Sequence, residues 1–232
     1  MALLTIALSK GKLAAATIRL LAQAGLPAEG LEEDGRRLLI SYDGQGIRYL
    51  WCRPTDVPTY VEYGAADLGV AGKDSLLEAG AEVFELADLR FGFCRLVVAV
   101  PRQTWREMGG EKGFDLRNLH GRRVATKFPR VTEGYFRSLG LQVEIVRLHG
   151  NIELAPQVGL AEMIVDLVST GQTLAANDLV AVAEVATSTA RLIANRASFH
   201  LKHQLLHRVV ASLKENARGE NVEDAPLDNG SR

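Results

Sequence analysis

A chain of 232 residues that is 47% hydrophobic and 24% charged has the balance of a globular protein able to bury a real core. Lysine and arginine number 27 against 28 aspartates and glutamates, a formal net charge of -1, which excludes the broad basic field that a nucleic-acid backbone requires. Any anion this protein holds must be held by local groups. Cys52 and Cys94 stand apart in apolar stretches, so neither a disulfide framework nor a CxxC metal or redox motif can be drawn. No uncharged stretch approaches the ~20 residues needed to span a bilayer, and the apolar run MALLTIALS precedes its first positive charge, Lys10, unlike a secretory signal. The expected location is the cytoplasm, with neither nucleic acid nor membrane as partner.

The chain opens on the strand-like run LLTIALS, followed by a helix with Leu13, Ala16, Leu20 and Ala24 along one face. RLLISY and IRYLWC are the arms of an expected hairpin. Further strands read as ADLGVAG, CRLVVAVP, RRVATK, VEIVRL, EMIVDLV, LVAVAEVA and ARLIANR, nearly all apolar and so expected to be buried on both faces of a largely parallel sheet. A single sheet of so many strands is long for this length. The polar, Gly-rich segment Pro101 to Gly113 follows the strongest apolar run, which places a domain crossing near Cys94 to Val100 and a second after residues 166–173. The expected fold is α/β with two lobes joined by two passes of chain: residues 1–95 and 175–216 form one lobe and 96–174 the other. A cleft between such lobes is where ligands commonly bind. The final stretch has almost no apolar content, and residues 217–232 are expected to be a disordered tail. Before it, Leu206, Val209, Val210 and Leu213 recur at helical spacing. His203 and His207 are four apart on another side and could share a metal, but with no carboxylate or thiol beside them they read as a polar helix face.

The chemistry concentrates at Asp166-Leu167-Val168-Ser169-Thr170-Gly171-Gln172-Thr173. An apolar strand delivers Asp166 near its carboxyl end and then breaks, which is where open α/β sheets place ligands. Ser169, Thr170 and Thr173 supply hydroxyl donors, Gly171 lets the backbone approach closely, and a helix start after it presents unpaired N–H groups. Each hydrogen bond to a charged acceptor is worth about 1.5–3 kcal/mol, so several converging donors hold a phosphate without a lysine. Asp166 stands where a carboxylate can accept from both hydroxyls of a ribose whose 5-phosphate fills the loop. The same residues also describe a helix N-cap with a turn. What favours a site is the strand-borne aspartate directly before the hydroxyls, which would cost stability if left buried and unpaired.

The longer stretch ELAPQVGLAEMIVDLVSTGQTL, Glu153 to Leu174, resembles the signature of the ATP phosphoribosyltransferase family of histidine biosynthesis. The matching positions are Glu153, Gly159, Ala161, Ile164, Asp166, Thr170-Gly171 and Thr173-Leu174. SKGKL, LWCRPTDVPTYVEYGAADLGVAGKD, FGFCRLVVAVP, RRVATKFP and ARLIANRAS also look like blocks of that family. Two positions depart from it: Lys12 where arginine is usual, which keeps the charge but loses the planar fork, and His149-Gly150-Asn151 where Gly-Ser or Gly-Ala is common.

The resemblance implies a periplasmic-binding-protein-like fold with the active site in the interdomain cleft. It also implies a short-form catalytic subunit, expected as a homodimer within a hetero-oligomer whose regulatory partner is similar to histidyl-tRNA synthetase. The implied reaction is attack by N1 of ATP on C1 of phosphoribosyl pyrophosphate, with substrate-bound Mg²⁺ and pyrophosphate as leaving group. No catalytic nucleophile, obligatory base or protein metal ligand is expected. Asp166 and Ser169, Thr170, Gly171, Gln172 and Thr173 are the expected phosphoribosyl pyrophosphate contacts; Lys10, Gly11, Arg53, Asp74, Lys127 and Glu153 are candidates for ATP or pyrophosphate. Read alone, Lys10 and Arg53 are also consistent with solvated loop charges. Two rivals remain at this stage: a solute-binding module, which two α/β lobes also describe, and a phosphoribosyltransferase acting on a free base, which usually has paired acids where this chain has Val165-Asp166.

Overall fold

The computed structural model describes residues 3–31 and 37–217. Contacts divide the chain into two compact units, one built from residues 1–93 and 188–232 and the other from Cys94–Thr187. In chain order the strands are β1 Leu4–Ser9, β2 Leu39–Tyr42, β3 Ile47–Cys52, β4 Leu68–Gly72, β5 Phe84–Asp88, β6 Cys94–Pro101, β7 Arg123–Thr126, β8 Glu144–Arg147, β9 Met163–Val168, β10 Leu179–Ser188 and β11 Ala190–Ala194. The first unit carries a six-stranded sheet in the order β2-β3-β1-β4-β11-β5, the second a five-stranded sheet in the order β10-β6-β9-β7-β8.

The apolar runs become central strands because each has two dry faces. Side chains alternate across a strand, so Leu4, Ile6 and Leu8 of β1 enter one cluster while Ala7 enters another, and Leu192 and Ile193 of β11 divide the same way. In the second unit Val97 and Ala99 of β6 face one cluster and Leu96, Val98 and Val100 the other. The first helix, Ala14–Gln23, buries Ala14, Thr17, Leu20 and Leu21, with Leu13, Ala16 and Ala24 partly buried against the same cluster.

Three expectations need adjusting. Both sheets are mixed rather than largely parallel: β1 runs parallel to β3 and β4, but β2 pairs antiparallel to β3, and β11 antiparallel to β4 and β5. In the second unit β6 is antiparallel to β9. A hairpin makes the first reversal, and segments that cross between the units make the others. The return crossing falls at Thr187–Ser188 rather than after Leu174, because Leu174 is buried in the second unit's core and β10 neighbours β6 in its sheet. β5 went unread because it is an edge strand of mixed polarity; Glu85 and Asp88 each lie 3.2 Å from the Arg191 guanidinium on β11. Residues 218–232 of the expected tail lie outside the described residues, while Ala217 closes the helix His203–Ala217. Among the described residues no helix is long and apolar enough to cross a membrane.

Asp67 fastens the two chain segments of the first unit to one another. It is 5% exposed and immediately precedes β4. Its Oδ2 accepts from the Thr5 N–H at 2.9 Å and from Lys202 Nζ at 2.8 Å, and its Oδ1 accepts from the Ser198 hydroxyl at 2.6 Å. Lys202 Nζ also donates to the Leu3 carbonyl at 2.8 Å. Removing one partner of a buried, hydrogen-bonded charge strands the others, at a cost of about 3 kcal/mol. Asp67→Ala is therefore expected to lower the urea unfolding free energy by about that amount, whereas Glu133→Ala, at an exposed pair with Arg137, changes it by under ~0.5 kcal/mol.

Candidate functional site

β9 is the strand that carries the candidate site. Met163, Ile164 and Val165 are fully buried, and the next residue, Asp166, stands opposite Val97 of β6 near the carboxyl end. Its Oδ1 accepts from the Leu167 N–H at 2.8 Å and lies 3.4 Å from Lys127 Nζ. The carboxylate side chain is 14% exposed, the lysine 40%. Burial raises the Asp166 pKa above the ordinary carboxylate range; the Lys127 charge and the Leu167 N–H oppose that rise, and Glu153 adds a little to it.

Beyond Val168 the chain leaves the core. Ser169, Thr170, Gln172 and Thr173 are exposed, and Gly171 sits in the left-handed region at φ 80°, ψ -4°. A Cβ there would meet open space, so the requirement for glycine is one of backbone conformation rather than crowding. The helix that follows is only Gln172–Ala176. Five residues sum to little macrodipole, so the polar character of this segment lies in its hydroxyls and local N–H groups rather than in a helix start.

The far end of the loop is pinned from two directions. Leu174 plugs the core, and Asn177 Nδ2 donates to the Thr173 carbonyl at 3.0 Å while its Oδ1 accepts from Gln157 Nε2 at 3.1 Å. Asp178 adopts φ 54° and is held by the Arg102 N–H on its carbonyl at 2.9 Å and by Arg102 Nε on its carboxylate at 3.0 Å. Gln157, Asn177, Asp178 and Arg102 were not singled out in the sequence. The usable signal was Asn177, a residue type favoured at helix ends.

Lys127, Glu153 and Asp166 share one edge of the second sheet. β7 runs parallel to β8 and β9, with Thr126 in register with Arg147 and with Val165. Lys127 follows β7, Asp166 lies one residue beyond the paired Val165, and Glu153 lies in the 3-10 turn Ile152–Leu154 after β8. Asn151 opens that turn at φ 50°, a conformation asparagine tolerates. The first unit repeats the arrangement. Lys10 and Gly11 follow β1, Arg53 follows β3 and Asp74 follows β4, all at the carboxyl edge of parallel neighbours, and the Lys10 N–H donates to the Cys52 carbonyl at 3.0 Å. Asp74 is already engaged: its carboxylate accepts from Ser188 Oγ at 2.6 Å and Ser75 Oγ at 3.3 Å, and its N–H donates to Ser188 Oγ at 3.0 Å. The sequence-predicted residues thus gather at two places, one on each unit, each at the sheet edge where α/β proteins bind ligands. Among the described residues no group of three or more His, Cys, Asp or Glu is arranged to hold a metal ion, His203 and His207 included.

These features define a two-unit α/β protein with an exposed, hydroxyl-rich loop on one unit. A periplasmic sulfonate-binding protein, SsuA, from Methylobacillus flagellatus KT has a similar fold at TM-score 0.57 and 15% identity, covering 93% of this chain and 68% of that one. The HisG family model, ATP phosphoribosyltransferase, matches residues 53–215. ATP phosphoribosyltransferases of Moorella thermoacetica and Syntrophomonas wolfei are 60% and 50% identical, over 93% of this chain and 93% and 96% of theirs. A solved ATP phosphoribosyl transferase (HisG:HisZ) complex from Thermotoga maritima aligns at TM-score 0.77 and 30% identity, covering 94% of this chain and 100% of that one. The chain belongs to the ATP phosphoribosyltransferase family. It transfers the 5-phosphoribosyl group of phosphoribosyl pyrophosphate to N1 of ATP, the first step of histidine biosynthesis.

The raised Asp166 pKa carries a sign for stability. A carboxyl whose folded pKa lies above its unfolded value subtracts stability as pH rises through the two, and the deficit is complete above the folded value. Asp166→Asn removes that deficit and keeps an oxygen for the Leu167 N–H. The variant is expected to melt no lower than wild type at neutral pH, by differential scanning calorimetry, while losing phosphoribosyl pyrophosphate binding; a large drop in Tm would make Asp166 a structural residue.

Proposed function

We propose that the 5-phosphate of phosphoribosyl pyrophosphate is held by Ser169, Thr170, Gly171, Gln172 and Thr173, with Asp166 accepting hydrogen bonds from the ribose hydroxyls. The observation that carries this reading is the juxtaposition on β9 and its loop: a mostly buried carboxylate, two residues of strand, then an exposed hydroxyl-bearing turn around a left-handed glycine. A diol and a phosphate on one sugar match that pattern of acceptor and donors. Lys10, Gly11, Arg53, Asp74 and Glu153 then contact ATP or the departing pyrophosphate, and Lys127 stands at the ribose end through its ion pair with Asp166.

The chemistry asks for alignment rather than a covalent intermediate. Positive charge develops on the ribose and negative charge on the leaving group, so catalysis rests on holding the adenine nitrogen in line with C1 and on cations near the pyrophosphate. Mg²⁺ fits as a companion of the substrate, because the acids at the two sheet edges, Asp74 on one and Glu153 with Asp166 on the other, stand beside the cations Lys10, Arg53 and Lys127 rather than as a cluster of three or more carboxylates. When bound it neutralises pyrophosphate oxygens. The protein is a cytoplasmic enzyme in this reading. It works as a homodimer within a hetero-oligomer, and the HisG:HisZ composition of the Thermotoga complex supports a HisZ-type subunit as the partner.

Loss of one hydrogen bond to a charged acceptor is worth about 1.5–3 kcal/mol, or roughly tenfold to a hundredfold in affinity. Thr173→Ala should raise KM for phosphoribosyl pyrophosphate by that factor with little change in KM for ATP, in a pyrophosphate-release assay run with and without the HisZ-type partner. Wild-type kinetics in the variant would remove the loop from the site.

A further inference from the structure

Lys127 was expected to face a phosphate, yet the structure turns its ammonium to a carboxylate. β7 and β9 pair in parallel up to Thr126 and Val165. The residues just past that rung, Lys127 and Asp166, therefore emerge side by side. The backbone after Thr126 is fixed by the Phe128 N–H on Thr126 Oγ1 at 2.9 Å, and Thr126 is fully buried. The Lys127 ammonium lies 5.2 Å from the centroid of the Phe128 ring, which is itself buried, and 3.4 Å from Asp166 Oδ1. A cation placed over a ring and against a carboxylate is held by two attractions that reinforce one geometry.

We infer that Lys127 is a positioning residue of the phosphoribosyl site: its ammonium keeps the Asp166 carboxylate charged and aimed so that it can accept from the ribose hydroxyls. The inference rests on the assignment of Asp166 to the ribose. A diol donates two O–H groups, and only the ionised carboxylate accepts both without presenting a proton of its own. Burial works against that ionised form, and Glu153, on the turn after β8, does too. On β6 the register partner of Asp166 is the neutral Val97; the one charge on that strand, Arg95, lies 3.8 Å from Glu184 of β10. Residues 169–177 carry no charge, and Asp178 is paired with Arg102. Lys127 is thus the cation that counters the burial of Asp166.

The test joins two readouts on the full chain. In the first, carbon-13 NMR follows the Asp166 carboxyl through a pH titration of the free protein, assigned by its absence in Asp166→Asn. Lys127→Met should move the Asp166 midpoint to higher pH, and Lys127→Arg should restore it. In the second, kcat/KM for phosphoribosyl pyrophosphate is measured against pH with the HisZ-type partner present. Lys127→Met should lose roughly tenfold at the acid end and recover as pH rises, with kcat at saturating substrate much less affected; Lys127→Arg should follow wild type. An unmoved Asp166 midpoint, or a loss equal at every pH, would overturn the inference and return Lys127 to the role of a phosphate contact. A moved midpoint with an unchanged pH profile would overturn it differently, by showing that Asp166 does not receive the ribose.

Discussion

The first unit exists because a buried carboxylate closes it. Its sheet is assembled from residues 1–93 and from a segment that rejoins it after nearly a hundred residues spent in the second unit. β11 must slot between β4 and β5, and the helix His203–Ala217 must reach the face of β1. Apolar burial supplies the driving force but no register, since one dry surface packs on another in many ways. Asp67 supplies the register. Its carboxylate reads Thr5 of β1 together with Ser198 and Lys202 of the helix Arg196–Leu201 and its C-terminal cap, while its own N–H donates to the Thr5 carbonyl and its carbonyl accepts from Asn195. One charged group, hydrogen-bonded on both oxygens, converts a hydrophobic collapse into a single alignment of three chain segments.

That alignment is what places polar residues at the sheet edge. β1, β3 and β4 run in one direction, so their carboxyl ends deliver Lys10, Arg53 and Asp74 to a common rim. β7, β8 and β9 do the same for Lys127, Glu153 and Asp166. Strands that run against these groups, β2, β6 and β11, add width and core without adding a candidate site residue. The division of labour is between direction and burial: parallel central strands present loops, antiparallel ones seal the sheet.

The sequence carried the strands, the hairpin and the loop because these are local statements. Near-continuous apolar runs announced β1, β4, β6 and β9, and Ser169 to Thr173 after Asp166 announced an exposed loop at the end of β9, from residues within one turn of each other. What it did not carry is relational. β5 is half polar and was passed over, since its justification is Arg191 more than a hundred residues later. The return crossing was placed too early because the break after Leu174 resembled a domain exit, whereas β10 still has a neighbour in the second sheet. Gln157, a single polar residue in a loop, gains meaning only from Asn177 twenty residues on. Lys127 is legible in the sequence only as a candidate for ATP or pyrophosphate, because nothing local shows that β7 and β9 pair at that rung.

The pairing of Lys127 with Asp166 also bears on how a chain of net charge -1 handles highly phosphorylated substrates. No cation lies within residues 169–173, so on the proposed assignment a phosphate there is met by directional hydrogen bonds rather than by ion pairs. Such bonds depend on geometry more than on ionic strength, whereas a lysine cluster would bind any polyanion and weaken as salt screens it. Discrimination then falls to the sugar. A free phosphate or pyrophosphate can satisfy the hydroxyl turn but leaves the Asp166 carboxylate facing an anion, and like charges at short range are costly in a partly dry site. A phosphoribosyl group satisfies both at once. On the proposed assignment, keeping Asp166 ionised does two things with one charge: it accepts the ribose hydroxyls and it repels the simple phosphates that would otherwise fill the loop.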